Sequence, residues 1–334
     1  MAARSVFVTG GSGLIGSALV KRLLERGDAV VGLARSDASA DKLRALGAEP
    51  VRGDLLDEAS LTVAMAGCDL VFHVAGVNVL CPTDRPALFR GNVEGVRLLV
   101  RAASRAGVER VVHTSSAATL GEETGTVGRE DSPHRGWYLS DYERSKTEGE
   151  RVALAASTEH DVDVVCVNPS SVQGPGRAGG TGKILLALVD GRLKVFIDTN
   201  ISLVDIDDTV EGHLLAAEKG VRGERYVLSG VSLSSNEALD MLEEVAGMTE
   251  RPRIVSGMTI SAAGALLQTG FGFVHKRPPL CREMARTLRH GHRYDGSRAE
   301  RELGLTYTPA QDTLRRTVEW AIEKGLIRPR AATA

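Results

Sequence analysis

The sequence predicts a doubly wound, parallel α/β sheet with a smaller C-terminal lobe that is discontinuous in the chain, and three observations carry that expectation. Residues 6–16, VFVTGGSGLIG, read as a short apolar strand that runs into a glycine-rich turn and then a helix. Apolar strands and helical patterns then alternate through the first half of the chain. From Pro169 the texture changes to a loop rich in Gly, Pro and Ser, and the strict alternation stops.

Gly10, Gly13 and Gly16 have separate tasks: a tight turn, close backbone approach to phosphate oxygens, and close packing of helix on strand. Alone, such a turn is equally an ordinary strand-to-helix connection. The helix over 14–26 carries Leu14, Ala18, Leu19 and Leu23 at helical spacing and stops at Gly27. Strands follow at 29–34, 49–52 and 70–74, with helices at 39–46 and 59–66 between them. A long helix over 86–106, a strand at 110–114, a helix over 138–157 and a strand at 162–167 complete the series. Right-handed crossovers then place the ligand crevice at the C-terminal ends of the strands. A Rossmann-type dinucleotide-binding domain is expected over 1–168, completed by about 201–229 through a strand from 203, a helix to 218 and a strand at 224–228. Residues 169–200 and 230–330 are expected to form the substrate-binding lobe.

Charge is balanced, 41 basic against 43 acidic residues for a net charge of -2, which leaves no basic footprint for nucleic acid and no polybasic membrane anchor. Small molecules are the expected partners. Cys68, Cys81, Cys166 and Cys281 lie far apart with no C-x-x-C pair, a pattern that suits reduced, structural thiols in a cytoplasmic protein; no disulfide framework and no metal are expected. The first strand begins almost at once and leaves no room for a signal peptide. The longest apolar-leaning run, 258–274, is interrupted by Thr, Ser, Gln and Gly and falls short of the ~20 apolar residues of a membrane span. It is expected to wall a pocket.

The chemistry is expected at the ends of the later strands. Tyr142 and Lys146 in DYERSK are four apart and share one face of a helix. A neighbouring ammonium favours the phenolate, so Lys146 is expected to bring Tyr142 toward a working range. Alone, the pair also fits a surface contact on a charged helix. Upstream, Thr114, Ser115 and Ser116 close a strand, where they either face a ligand or cap the following turn.

These segments together resemble the extended short-chain dehydrogenase/reductase family, also called the epimerase/dehydratase family. The matching stretches are TGGSGLIG (9–16), GDL (53–55), HVAG (73–76), NVEG (92–95), HTSSA (113–117), YERSK (142–146) and NPSSVQGP (168–175), with ELG (302–304) and the TVEW helix beyond. The resemblance implies that Gly10, Gly13, Leu14, Ile15 and Thr114 border the dinucleotide, that Asp54 and Leu55 contact its adenine, and that Ala75 and Gly76 lie beside its ribose. It implies that Pro169 and Val172 line the nicotinamide, Ser116 holds the reacting oxygen, Tyr142 passes the proton, and Lys146 holds the nicotinamide ribose and tunes Tyr142. Asn92 matches the family's helix asparagine on the proton path, or else caps within its own helix. A homodimer is also compatible with the resemblance.

Two departures narrow the expectation. Where NAD-specific relatives have an acid at the end of the second strand, this chain has Ala34 followed by Arg35, which suits a 2′-phosphate; Lys42 is a second candidate contact, and Asp37 lies close by. NADP(H) is therefore expected in preference to NAD(H). After Ser116 the chain has Ala117 and Ala118 in place of the acidic pair of the family's dehydratases, which argues against sugar-nucleotide dehydration. Through VFHVAG, RVVHTSSAATL and SLVDIDDTVEGHLLAAEKG the chain resembles the dihydroflavonol 4-reductase-like subgroup. That implies reduction of a carbonyl compound to an alcohol, and Trp137, Tyr138 and the 258–274 run suggest a hydrophobic or aromatic one. One alternative is a nucleotide-sugar epimerase, with Arg177, Lys183, Lys276, Arg277 and Arg282 as candidate pyrophosphate clamps; another is a non-catalytic NADP(H)-binding sensor or scaffold.

Overall fold

The computed structural model describes residues 3–248, 250–262 and 280–328. The chain opens with β1 (Ser5–Thr9), α1 (Leu14–Glu25), β2 (Ala29–Ala34), α2 (Asp37–Leu46), β3 (Glu49–Arg52), α3 (Glu58–Ala64) and β4 (Leu70–His73). Next come α4 (Arg85–Phe89), a wide π turn over Arg90–Glu94, α5 (Gly95–Ala106), β5 (Arg110–Thr114), α6 (Asp141–Glu159) and β6 (Asp163–Pro169). Helix α6 starts three residues later than the sequence predicts, because Ser140 accepts the Glu143 N–H and caps it there. Trp137 and Tyr138 therefore lie in the preceding loop.

The second half contributes β7 (Ser171–Gln173), α7 (Thr181–Val189), β8 (Val195–Ile197), β9 (Asn200–Asp205), α8 (Ile206–Lys219), β10 (Arg225–Leu228), β11 (Val231–Ser234), α9 (Ser235–Ala246) and β12 (Arg253–Val255). Further helices span Arg282–His290 and Ala310–Glu323.

The main sheet has seven parallel strands in the order β10-β6-β5-β4-β1-β2-β3. Both faces are covered, which is why its strands read as continuous apolar runs. Val6 and Val8 pack with α1, α2 and α8, while Phe7 points to the opposite layer of α3, α5 and α6. The strand order reverses between β1 and β4, so the crevice opens above their C-terminal ends. A separate core, including Leu185, Leu203, Leu239 and Leu314, holds the smaller lobe together.

Two expectations need correction. The strand from 203 does not rejoin the main sheet: β9 lies between β7 and β11 in a three-stranded sheet, while α8 packs on the main one and the strand expected at 224–228 joins it as β10. A short apolar run identifies a strand but not its neighbours. Nor are all four cysteines free thiols. Cys81 and Cys281, 200 residues apart in sequence, form a disulfide with a Cα–Cα distance of 6.6 Å, while Cys68 and Cys166 are free and buried. Glu283 draws the two segments together by accepting the Cys81 N–H at 2.9 Å, a long-range contact that spacing along the chain cannot report. Residues 263–274 of the apolar-leaning run lie outside the described residues, and Met258 at its start is exposed. No helix among the described residues is long and apolar enough to cross a membrane.

Candidate active site

The glycine-rich turn forms the floor of the crevice. Gly10 has φ +71°, and a Cβ there would stand 2.6 Å from the Ala75 nitrogen, so only glycine lets the turns after β1 and β4 touch. A Cβ on Gly16 would stand 2.1 Å from the Gly10 carbonyl oxygen, which sets how closely α1 approaches the strand. Gly13 is the N-cap of α1; no side chain caps this end and no acid occupies the first turn, leaving the N–H groups at Leu14 and Ile15 suited to an anion. On the other side of the crevice, Ala75 N–H donates to Thr9 Oγ1 at 3.2 Å, and that hydroxyl also hydrogen-bonds His73 Nδ1 at 2.7 Å.

At one end of the crevice, Arg35 is exposed just beyond β2 and makes no ion pair among the described residues, whereas Asp37 pairs with Arg52 at 2.9 Å. Lys42 is exposed on α2. Asp54 accepts the Leu56 N–H at 2.9 Å, and Leu55 packs toward Gly95 at the start of α5.

At the other end stand Ser116, Tyr142 and Lys146. Ser116 follows β5 and caps a short 3-10 turn, Ala117–Leu120, by accepting the Ala118 N–H at 3.3 Å. The half-buried Tyr142 lies in the first turn of α6, where Ser116 eases the cost that burial puts on its phenolate. One turn further, the buried Lys146 donates to the Thr114 carbonyl at 2.8 Å, and a Cβ on Gly76 would come within 3.7 Å of its Nζ. The structure thus brings these residues together with Gly76, while Pro169 and Val172 are buried where β6 leads into β7.

Burial dominates the electrostatics. It pushes the Lys146 ammonium down to about 8, against the favourable charge of Glu150. It pushes the Tyr142 phenol up, and the relief comes from the Ser116 hydrogen bond and the Arg177 charge rather than from Lys146, whose ammonium is turned to the Thr114 carbonyl. That differs from the sequence-based expectation for the pair. Burial and the nearby Lys146 also hold His73 down at about 3 and lower His113, which stacks on it at 5.1 Å.

Asn92 does not cap its helix. It sits in the π turn, where its amide accepts the Val77 N–H at 2.7 Å and donates to the Val77 carbonyl and to Ser145 Oγ, each at 2.9 Å. It therefore ties the loop after β4 to the tyrosine-bearing helix. A Cβ on Gly149 would stand 2.0 Å from the Asn92 carbonyl oxygen, so the two helices meet at a glycine.

Sequence reasoning missed the layer behind these residues. Buried Glu150 accepts from Arg225 Nη1 at 2.9 Å, Thr119 Oγ1 at 3.0 Å and Asn168 Nδ2. Asn168 and Thr119 also donate to the Ser116 carbonyl, at 3.2 and 2.9 Å. A signal was present, since positions 142, 146 and 150 lie four apart on one helical face. Glu122, His290 and His292 had no such signal. His292 Nδ1 hydrogen-bonds Glu122 Oε1 at 2.7 Å and the Tyr294 hydroxyl at 2.8 Å, and the three ligand-type side chains lie within 4.8 Å of one another. Burial pushes the Glu122 carboxyl up, but hydrogen bonds from His290 and His292 overcome it and hold the group at about 2.

The remaining candidates scatter. Trp137 is half exposed with the Arg135 guanidinium 5.1 Å from its ring centre, and Tyr138 leans on His134. Lys183 is exposed, Arg282 begins the helix Arg282–His290, and Lys276 and Arg277 lie outside the described residues.

The fold and this constellation define a dinucleotide-dependent class, and comparison with known proteins agrees. The chain belongs to the NAD dependent epimerase/dehydratase family, which it matches over residues 6–229. Within that family it is an NAD(P)-dependent oxidoreductase. It is 34% identical over 334 residues to sterol demethylase protein B of Methylococcus capsulatus, covering 97% of this chain and 100% of that one. It is 32% identical over 266 residues to the dihydroflavonol 4-reductase of Zea mays, covering 72% of this chain and 74% of that one. The crystal structure of gox2253 superposes with a TM-score of 0.86 at 29% identity, covering 97% of this chain and 100% of that one.

Proposed function

We propose that the chain reduces a hydrophobic ketone or aldehyde to an alcohol with NADPH. The observation that carries this reading is the placement of Ser116 at the end of β5 and Tyr142 in the first turn of α6, one helical turn before a buried ammonium. The residues of the crevice fit a dinucleotide: the uncapped N-terminus of α1 would take its diphosphate, Asp54 and Leu55 its adenine, and Ala75, Gly76, Thr114 and Lys146 the nicotinamide ribose. Pro169 and Val172 would line the nicotinamide. The reduced nicotinamide supplies the hydride.

Ser116 and Tyr142 hold the carbonyl oxygen between two hydroxyls, and Tyr142 donates its proton to that oxygen as the alcohol forms. Ser116 eases the phenolate left behind, and Lys146 would hold the nicotinamide ribose with its ammonium. Because burial holds Lys146 at about 8, the reductive kcat/KM is expected to fall as pH rises past that value and the ammonium loses its proton. A profile still flat at about pH 10 would remove that charge from the mechanism.

Arg35 supports the preference for NADPH, since it is exposed at the end of β2 and makes no ion pair among the described residues, the nearby Asp37 being paired with Arg52. A charge-assisted contact to the 2′-phosphate is worth about 1.5–3 kcal/mol, so Arg35→Ala should raise KM for NADPH roughly 10- to 100-fold and leave KM for NADH within about twofold. Equal effects on both cofactors would sink the assignment. The test of the whole reading is consumption of NADPH and NADH against aromatic, aliphatic and steroid-like carbonyls, with the corresponding alcohols run in reverse. Tight NADPH binding without turnover of any of them would favour a sensor or scaffold instead.

A further inference from the structure

Arg177 differs from the other partly or fully buried arginines of the main domain. Arg135 meets Glu143, Arg225 meets Glu150 and Arg110 meets Asp163. Arg177 is half-buried yet makes no ion pair among the described residues: Nη2 reaches Thr181 Oγ1 at 3.4 Å, and Nε is buried with no partner. Burying a guanidinium without a counter-charge is costly, so such an arrangement is kept where an anion completes it.

The surrounding chain is shaped around this side chain. A Cβ on Gly182 would stand 2.6 Å from Arg177 Cγ, and one on Gly180 would stand 3.0 Å from Nη2, so two glycines make room for it. Thr181 is itself held by Ser171 Oγ at 2.8 Å and Gln173 Nε2 at 2.9 Å, both from β7. A Cβ on Gly176, one residue before Arg177, would stand 3.0 Å from Leu14 Cδ1, which places the loop against the first turn of α1. Ser171 and Gln173 flank Val172, the residue expected to line the nicotinamide, so the Thr181 contact sets the guanidinium beside that strand, and its charge acts on the Tyr142 phenol as well.

We propose that Arg177 binds a carboxylate carried by the substrate within a few bonds of the reacting carbonyl, making the preferred substrates oxo acids and the products hydroxy acids. This rests on the reductase reading of Ser116 and Tyr142. The planar guanidinium, whose Nε has no partner, matches the geometry of a carboxylate. Hydride adds to the carbonyl carbon, Tyr142 supplies the proton to the oxygen, and the carboxylate passes through unchanged as a handle that fixes orientation.

The test is calorimetric binding of 3-hydroxyoctanoate and 2-hydroxyoctanoate, each beside its methyl ester, to the NADP+-loaded protein and to its Arg177→Met and Arg177→Lys variants. At least one acid is expected to bind the wild type about tenfold or more tighter than its ester. Arg177→Met should erase that preference and Arg177→Lys should restore part of it, with the affinity for NADP+ unchanged. Equal binding of acid and ester by the wild type overturns the proposal without need of any variant. So does a preference that survives in Arg177→Met, or an Arg177→Met protein whose main loss is NADP+ affinity, which would give the guanidinium to the cofactor. Oxidation of NADPH by the matching oxo acids and esters separates the two readings. Esters reduced as well as acids would leave the reductase standing without the carboxylate site. Arg177-dependent binding of acids with no reduction of any carbonyl would leave the site standing without the reductase.

Discussion

Replacing Tyr142 with phenylalanine is expected to lower kcat by about 10²- to 10⁴-fold while NADPH affinity stays within a factor of about two. The substitution removes one hydroxyl and keeps the ring, so the first turn of α6 retains its packing. Its cap, Ser140 to the Glu143 N–H, does not involve the phenol. Lys146 donates to the Thr114 carbonyl, so the ammonium keeps its anchor. What disappears is the proton donor and the partner of Ser116. Burial keeps the phenol protonated through neutral pH, the correct state for a donor in the reductive direction. Steady-state kinetics and a fluorescence titration of NADPH read the two quantities separately. A variant that keeps kcat within tenfold of the wild type would require a different acid.

Glu150→Ala is expected to destabilise the protein by about 3–5 kcal/mol and to impair turnover as well. The carboxylate is buried between α6, β6 and β10, where it meets Arg225, Thr119 and Asn168. Its removal leaves a largely buried guanidinium short of its counter-charge. Asn168 and Thr119 also hold the Ser116 carbonyl, so the loss is transmitted to the hydroxyl above it. Glu150→Gln keeps the shape and should cost less stability. Because the Glu150 charge raises the Lys146 pKa, the glutamine variant should move the alkaline limb of the rate profile to lower pH. Denaturant unfolding at pH 7 measures the first effect. A loss below about 1 kcal/mol for the alanine variant would mean that the network is not held together by this carboxylate.

Local chemistry was the legible part of the sequence. The strands at 29–34 and 110–114 keep their predicted bounds, because a parallel sheet covered on both faces demands apolar runs, and the edge strand at 49–52 keeps its bounds between Gly47 and Gly53. What escaped is set by contacts across the chain. The neighbours of β9 depend on pairing with β7 and β11, and the disulfide depends on two segments 200 residues apart meeting beside Glu283. The roles of the site follow the same division. Tyr142 and Lys146 share a helical face that the sequence displays, whereas the influence of Arg177 on the phenol arises only when the loop after β7 folds back toward it.

The contact between Gly10 and Ala75 has an evolutionary side. A bed in which one added methyl would collide with the opposite loop can scarcely vary, so every descendant of this chain inherits much the same turn. Arg35 and Arg177 lie on loops to either side of it, the first exposed and the second half-buried. If Arg35 and Arg177 take the roles proposed for them, selection for a different cofactor or a different substrate acts one loop at a time and leaves the turn between them untouched.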